Sequence, residues 1–372
     1  MKELHKTEPE APRVFLAGLR DSSISAEEAA DLAAELAGLA RTLDLDIAGS
    51  EIVHVREQNP RYGMGSGKAR ELADKALAAG ARCIVFDREL SPSQQRNWET
   101  LSGISAADRQ ELIIRIFAAR AKTREAGLQA ELAELLYALP RLSHKYVDLA
   151  RQRGGHYGTR GSGETRLETD KRLVRKRIGE LRKEIEDVRR SRRIQRRQRE
   201  RQGTPVCALV GYTNAGKSSL HRALTGSEAA VEDKLFATLD PTARRVSRPG
   251  PSGSRRNIIF TDTVGFIRRL PHNLVDAFRS TLEEAAEADI LIHVLDASDP
   301  AREARSRTVL DVLEDLGAGN IPLITALNKV DLLGREEAAV LEGEFPGSAA
   351  VSAKNKQGLD RLWNLLEKKL KL

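Results

Sequence analysis

The sequence predicts an α/β protein in three parts: an N-terminal α/β domain (1–119), a basic, coiled-coil-like α-helical hairpin with a glycine-rich tip and linker (120–202), and a second α/β domain (203–372). Three observations predict it. Short apolar runs alternate with helix-spaced stretches at both ends of the chain, the pattern of parallel sheets covered by helices. Two aliphatic stripes at heptad spacing occupy the middle and flank a segment with five glycines in Gly154–Gly163. Behind the apolar run Val206–Val210, residues Gly211–Ser218 fit the pattern G-x-x-x-x-G-K-[ST].

In the first part, Arg13–Ala17, Ile52–Val55 and Cys83–Phe86 read as strands and Ala29–Leu36 as helix. Gly63–Lys68 has the composition of a second phosphate loop, but it lacks the spacing and a buried strand before it. A loop and helix start is expected there, with nucleotide binding the lesser alternative. Asp87–Gln94 reads as a strand exit and helix cap, its charges open to two readings, solvation or a partner contact.

In the middle part, Leu128, Leu132, Leu135, Leu139 and Leu142 recur at spacings of 4, 3, 4 and 3, and Val174, Ile178, Leu181, Ile185 and Val188 repeat that rhythm. Such spacing predicts two helices sharing a seam, and Pro140 bends or breaks the first. At the tip, glycines bring backbone close to a ligand. His156 and Tyr157 suit stacking on unpaired bases, while Arg151, Arg153, Arg160 and Arg166 suit phosphates. A hairpin loop without a ligand is the plainer alternative. Residues 151–202 hold 19 Lys and Arg against 8 Asp and Glu, a local +11 in a chain of +7, which leaves −4 elsewhere. A helix face that is merely solvated would carry more compensating glutamate, so RNA is the expected partner. Arg189–Arg201 loses the apolar rhythm and reads as a basic helix end and linker.

The third part carries the chemistry. The strand Val206–Val210 feeds Gly211-Tyr212-Thr213-Asn214-Ala215-Gly216-Lys217-Ser218, and the amphipathic stretch Ser219–Leu224 follows. That order aims backbone N–H groups and a helix N-terminus at a phosphate. Gly211 and Gly216 admit the turn, Lys217 reaches the β- and γ-phosphates, and the Ser218 hydroxyl binds Mg²⁺. Downstream, Asn328-Lys329-Val330-Asp331 follows the strand Leu323–Leu327. The Asp331 carboxylate accepts from guanine N1–H and the 2-amino group, whereas adenine would leave it desolvated and unpaired. GTP is therefore the expected substrate and GDP the product, with Asn328 and the Lys329 stem bracing the loop and covering the ring.

Further elements complete the series. Asp262-Thr263-Val264-Gly265 ends the strand Ile258–Thr261; Asp262 is expected to hold Mg²⁺ through water and the Gly265 N–H to meet the γ-phosphate. Thr238, within Phe236-Ala237-Thr238-Leu239-Asp240, falls where a switch segment supplies the second Mg²⁺ hydroxyl. Ser352-Ala353-Lys354 lines the base pocket. A lone loop threonine or Ser-Ala-Lys turn is usually a surface feature, and the order of the series is what gives these weight. That order is the one of a Ras-like P-loop G domain, with Lys217, Thr238 and Gly265 acting on the γ-phosphate. Phe266 stands where many GTPases place a water-orienting Gln. A phenyl ring cannot orient water, so slow intrinsic hydrolysis accelerated by a partner is expected; Phe266 reads equally as a core anchor.

No segment approaches the roughly 18 consecutive apolar residues of a membrane span, and Met1–Lys6 leads into no apolar segment of a secretory signal. Cys83 and Cys207, each in an apparent strand, suit reduced packing residues of a cytoplasmic protein better than a disulfide or metal site.

These stretches closely resemble the HflX family of translational GTPases, from about residue 13 to residue 365. The resemblance is carried by Glu89–Gln94, Lys122–Glu125 and Thr159–Thr165, and in the G domain by Gly211–Ser218, Phe236–Thr242 and Asp262–Ile267. It implies binding to the large (50S) ribosomal subunit, with the tip reaching rRNA of the peptidyl transferase region. It further implies dissociation of stalled or vacant 70S ribosomes under stress, with GTP hydrolysis permitting release. Ser162 stands where the family usually has Pro, which implies a more flexible tip. Gly358–Leu372 is expected as a final amphipathic helix without the further domain of some members, and the protein is expected to be a monomer. Two alternatives stay open: a GTP-gated RNA-binding factor for ribosome assembly or regulation without splitting, and a GTPase coupled to tRNA modification.

Overall fold

The computed structural model describes residues 12–57, 59–142, 160–200, 203–227, 234–236, 238–239, 242–249, 255–269 and 284–370, with backbone alone for 160–166, 192–193, 195–200 and 335. The chain divides into two compact units.

One unit takes the described residues through Ile116 and those of Glu134–Ile178. Its sheet runs β2 (Asp46–His54), β1 (Arg13–Arg20), β3 (Cys83–Phe86), β4 (Ser105–Asp108), every pair parallel. Helices α1 (Ala26–Thr42), α2 (Ser66–Ala78) and α3 (Pro92–Ser102) connect the strands, and α4 (Arg109–Arg120) follows β4. Helix α1 starts where the Ser25 hydroxyl accepts from Glu28 N at 3.0 Å, and its Leu32, Leu36 and Leu39 are buried. Helix α3 carries a full capping box between Ser91 and Gln94, with Pro92 opening the first turn. Trp98 of α3 is fully buried and donates its indole N–H to Tyr62 O at 3.1 Å.

Strand β4 goes beyond the sequence reading, because Ser105-Ala106-Ala107-Asp108 has no β-branched or aromatic residue to signal it. Gly63–Lys68 is a loop and helix start, with Gly65 capping α2. Two of the charges leaving β3 are spent inside the unit: Asp87, 2% exposed, pairs with Arg109 at 2.9 Å, Arg109 also pairs with Glu35, and Arg88 pairs with Asp21, while Glu89 is exposed to solvent.

The helical middle differs in its limits from the sequence reading. Helix α5 (Arg124–Ala138) stops just before Pro140, and α6 runs from Arg160 to Glu200. Arg160–Gly163, read as the end of the tip, is thus the first turn of α6, and Arg189–Glu200 continues the helix instead of loosening into a linker. The long unbranched Arg, Lys, Glu and Gln side chains lose little freedom in a helix, which outweighs the missing apolar rhythm. Leu128 and Leu132 of α5 and Ile178, Leu181 and Ile185 of α6 are buried, and Arg124 reaches Glu184 at 3.2 Å.

The other unit takes Phe117–Ala133 and the described residues from Gly179 onward. Its sheet runs β10 (Ala349–Ala350), β9 (Leu323–Asn328), β8 (Ile290–Asp296), β5 (Val206–Gly211), β7 (Arg255–Asp262), β6 (Thr242–Pro249), parallel except for the β6–β7 pair. Helices α7 (Lys217–Thr225), α8 (Arg302–Asp315), α9 (Arg335–Glu344) and α10 (Leu359–Leu370) complete it. Leu209, Phe260 and Ile292 of the central strands, Leu220 of α7 and Leu362, Trp363 and Leu366 of α10 share one core. Cys207 is a free, buried packing residue, as its strand position requires.

Candidate nucleotide site

The site lies where β5, β7 and β9 end, so that loops from distant parts of the sequence converge. Strand β5 passes so close to β8 that a Cβ on Gly211 would fall 2.4 Å from Val294 O. The loop turns through Asn214 at φ +61° and Gly216 at φ +91°, left-handed conformations that Asn tolerates and Gly adopts freely. A Cβ on Gly216 would fall 2.2 Å from Asn328 Nδ2. Helix α7 then begins at Lys217, its N-terminus facing the cleft.

Lys217 is 6% exposed and donates from Nζ to Tyr212 O at 2.8 Å. Burial pushes its pKa down to about 8, against the opposing attraction of Asp262. Thr213, Lys217, Ser218, Thr238, Thr263 and Gly265 line one cleft. Thr213 N donates to Phe266 O at 2.7 Å and Phe266 N to Gly211 O at 3.1 Å, so the phosphate loop and the Asp-x-x-Gly loop form one ladder. Phe266 is 1% exposed, and Val264 is buried with it. The ring is a core anchor, as one of its two readings holds.

The Mg²⁺ expectation meets a donor set that fits it. Ser218 Oγ and Thr238 Oγ1 lie 2.8 Å apart. Asp262 is 2% exposed, and its Oδ1 has no hydrogen-bond partner among the described residues. Hard hydroxyl and carboxylate oxygens at a phosphate loop are what Mg²⁺ takes, usually with waters retained. Thr263, by contrast, spends its hydroxyl on Leu209 O at 2.6 Å, bracing the strand end beside Asp262.

On the base side, Asn328 is buried and donates from Nδ2 to Ala215 O at 2.9 Å while its Oδ1 accepts from Ala353 N at 3.0 Å. Lys329 takes φ +65° and pairs with Asp296 at 2.7 Å. Val330 N donates to Val351 O at 3.3 Å. Asp331 Oδ1 accepts from the buried Ser352 hydroxyl at 2.6 Å, and Ser352 Oγ in turn accepts from Asn355 N at 3.1 Å. These bonds fix the Asp331 carboxylate against Ser352. Lys354 is exposed.

Phe236 and Leu239 are buried on either side of Thr238, with the Phe236 ring edge-on to Phe117 at 4.8 Å. Ala237 and Asp240 lie outside the described residues, as do Arg151, Arg153, His156 and Tyr157; Arg160 and Arg166 lie on α6 with their backbone alone described. Asp296, the partner of Lys329, was not among the residues singled out from the sequence. Its place at the end of the apolar run Ile290–Leu295 is the signal that points to it.

Family models match in sequence order. Residues 30–118 match "GTP-binding GTPase N-terminal", 120–199 match "GTP-binding GTPase Middle Region", and 206–329 match "50S ribosome-binding GTPase". A protein of Akkermansia muciniphila named GTPase HflX is 46% identical over 92% of this chain and 79% of its own length. The Escherichia coli protein of that name is 42% identical over 84% of this chain and 72% of its own. The crystal structure titled as a complex of SsGBP and GDP aligns over 97% of this chain and 98% of that one, with a TM-score of 0.51 and 23% identity, a likeness of fold. Among the described residues no helix is long and apolar enough to cross a membrane.

Proposed function

The chain belongs to the HflX GTPase family, and on that premise we propose that this GTPase uses Mg²⁺, binds the 50S ribosomal subunit and dissociates stalled or vacant 70S ribosomes. It hydrolyses GTP to GDP and phosphate. The observation that carries the switch reading is the 2.8 Å contact between Ser218 of the phosphate loop and Thr238 of the segment after α7. Ser218 and Thr238 would hold Mg²⁺ through their hydroxyls, and the ion would supply charge neutralisation at the phosphates, so the segment holding Thr238 would be drawn in with GTP and released after hydrolysis. Thr238 thereby couples nucleotide state to whatever surface that segment presents. Ribosome binding is supported by the description of the family model matched by residues 206–329, and by the +11 excess of residues 151–202. In this reading Arg151, Arg153, Arg160, Arg166, His156 and Tyr157 contact rRNA.

With Phe266 buried, the residue after Gly265 supplies no water-orienting group, and the intrinsic rate is slow until the ribosome orders the switches. Steady-state GTP hydrolysis with and without purified 50S subunits, at fixed Mg²⁺, tests the binding half; strong stimulation is expected, and none with intact GTP binding moves the activator elsewhere. Sucrose gradients with a nonhydrolysable GTP analogue test the splitting half. A splitting factor converts 70S particles to subunits, whereas an assembly factor binds one subunit and leaves 70S intact.

A further inference from the structure

The buried side-chain hydroxyls around the cleft differ in how they are spent. Thr263 Oγ1 is committed to Leu209 O at 2.6 Å, and Ser218 and Thr238, half-buried, are joined at the metal position at 2.8 Å. Thr213 is 4% exposed, and its Oγ1 has no hydrogen-bond partner among the described residues. Leaving a hydroxyl buried and unpaired costs about 1–3 kcal/mol, so such a group calls for a partner that arrives later.

Its position says which partner. A Cβ built on Gly265 would fall 2.9 Å from Lys217 Nζ, 3.0 Å from Thr213 Cα and 3.0 Å from Thr213 Cγ2. Thr213, the Lys217 ammonium and Gly265 therefore crowd around one point, where the γ-phosphate is received. The Thr213 backbone is held there by its N–H bond to Phe266 O at 2.7 Å. The methyl Cγ2 now faces Gly265, and rotation about χ1 carries Oγ1 through the same space.

We propose that the Thr213 hydroxyl is a catalytic residue of the GTPase reaction, orienting the attacking water in place of the side chain that Phe266 withholds. Thr213 Oγ1 accepts a hydrogen bond from the water and donates its own proton to a γ-phosphate oxygen, which aligns nucleophile and phosphorus without ionising the threonine. The water oxygen forms the new bond to the γ-phosphorus. The bond from that phosphorus to the β–γ bridging oxygen breaks, its electron pair leaves on GDP, and the proton lost by the water ends on the released phosphate.

The test uses the full chain with Mg²⁺ and no ribosomes, so its outcome is independent of the splitting reading. Single-turnover hydrolysis is compared for wild type, Thr213→Val, which keeps the shape and loses the hydroxyl, and Thr213→Ser, which keeps the hydroxyl. The Val variant is expected to hydrolyse GTP about tenfold or more slowly, with affinities for GDP and a nonhydrolysable GTP analogue held within about twofold. The Ser variant retains most of the rate. Stabilisation of the GDP complex by aluminium fluoride, a mimic of the transferring phosphoryl group with its water, is lost in Val and kept in Ser. A Val variant at the wild-type rate overturns the proposal, and so does a rate loss matched by an equal loss of nucleotide affinity.

Discussion

The side-chain amide of Asn328 donates to the main-chain carbonyl of Ala215 at 2.9 Å, across 113 positions of sequence. The same amide accepts from Ala353 N at 3.0 Å. One buried side chain thus ties together loops 211–218, 328–331 and 352–354.

Asn328→Ala leaves the buried Ala215 carbonyl without that partner, at about 1–3 kcal/mol, and frees the part-buried Ala353 N–H. GDP affinity is expected to fall about tenfold or more, with a lower melting temperature. Fluorescence titration with a labelled GDP reads it directly, and an unchanged Kd would show that the bridge has no part in binding.

Lys217 titrates near pH 8 in the nucleotide-free protein because burial disfavours its charge. Below that pH it is charged both folded and unfolded, and the burial cost is fully present. Between about pH 8 and its ordinary value of 10.5 the unfolded chain holds the proton that the folded one has shed, so stability rises with pH through this window. Thermal unfolding from pH 7 to 10 is expected to show this increment in wild type and not in Lys217→Met; parallel curves would refute it. Phosphate binding restores the charge, so GDP binding at pH 8.5 takes up protons, seen as a dependence of binding enthalpy on the buffer's ionisation heat.

Asp331→Asn replaces an acceptor-only group, braced by Ser352 at 2.6 Å, with one that still accepts from N1–H but turns a donor toward the guanine 2-amino group, where xanthine has a carbonyl. GDP binding is expected to weaken by at least about tenfold while xanthosine diphosphate binding improves. Competition between the two nucleotides checks it, and retained preference for guanine removes Asp331 from the base pocket.

Phe266→Gln is expected not to restore fast hydrolysis. The position is 1% exposed, so the change removes a packed ring and buries an amide, a loss of about 3 kcal/mol or more. Melting temperature falls by several degrees and turnover does not rise. A folded variant with faster intrinsic hydrolysis would show that the side chain reaches the cleft after all.

The loops of the candidate nucleotide site were legible in the chain because their motifs are local. A buried strand, the glycines and Lys217-Ser218 are contiguous and read as strand, turn and helix start, which the structure has, and the acceptor chemistry of Asp331 reads as a match for guanine without reference to any neighbour. The ends of α6 and the strand β4 were less legible. Charged residues extend a helix without an apolar stripe, and Ser105–Asp108 becomes a strand only because β3 lies beside it in parallel register.

By itself, the sequence determined the α/β class, the order of the motifs and the identity of the base, since each depends on spacing or donor and acceptor types within a few residues. Only the tertiary structure decided that Asp87 and Arg109 form a buried pair, that Lys329 leans on Asp296, that Asn328 bridges three loops, and that the Thr213 hydroxyl finds no partner among the described residues. Those are questions of which polar group finds a partner once water is excluded. The answer belongs to strands brought side by side from distant parts of the chain, and no local pattern records it.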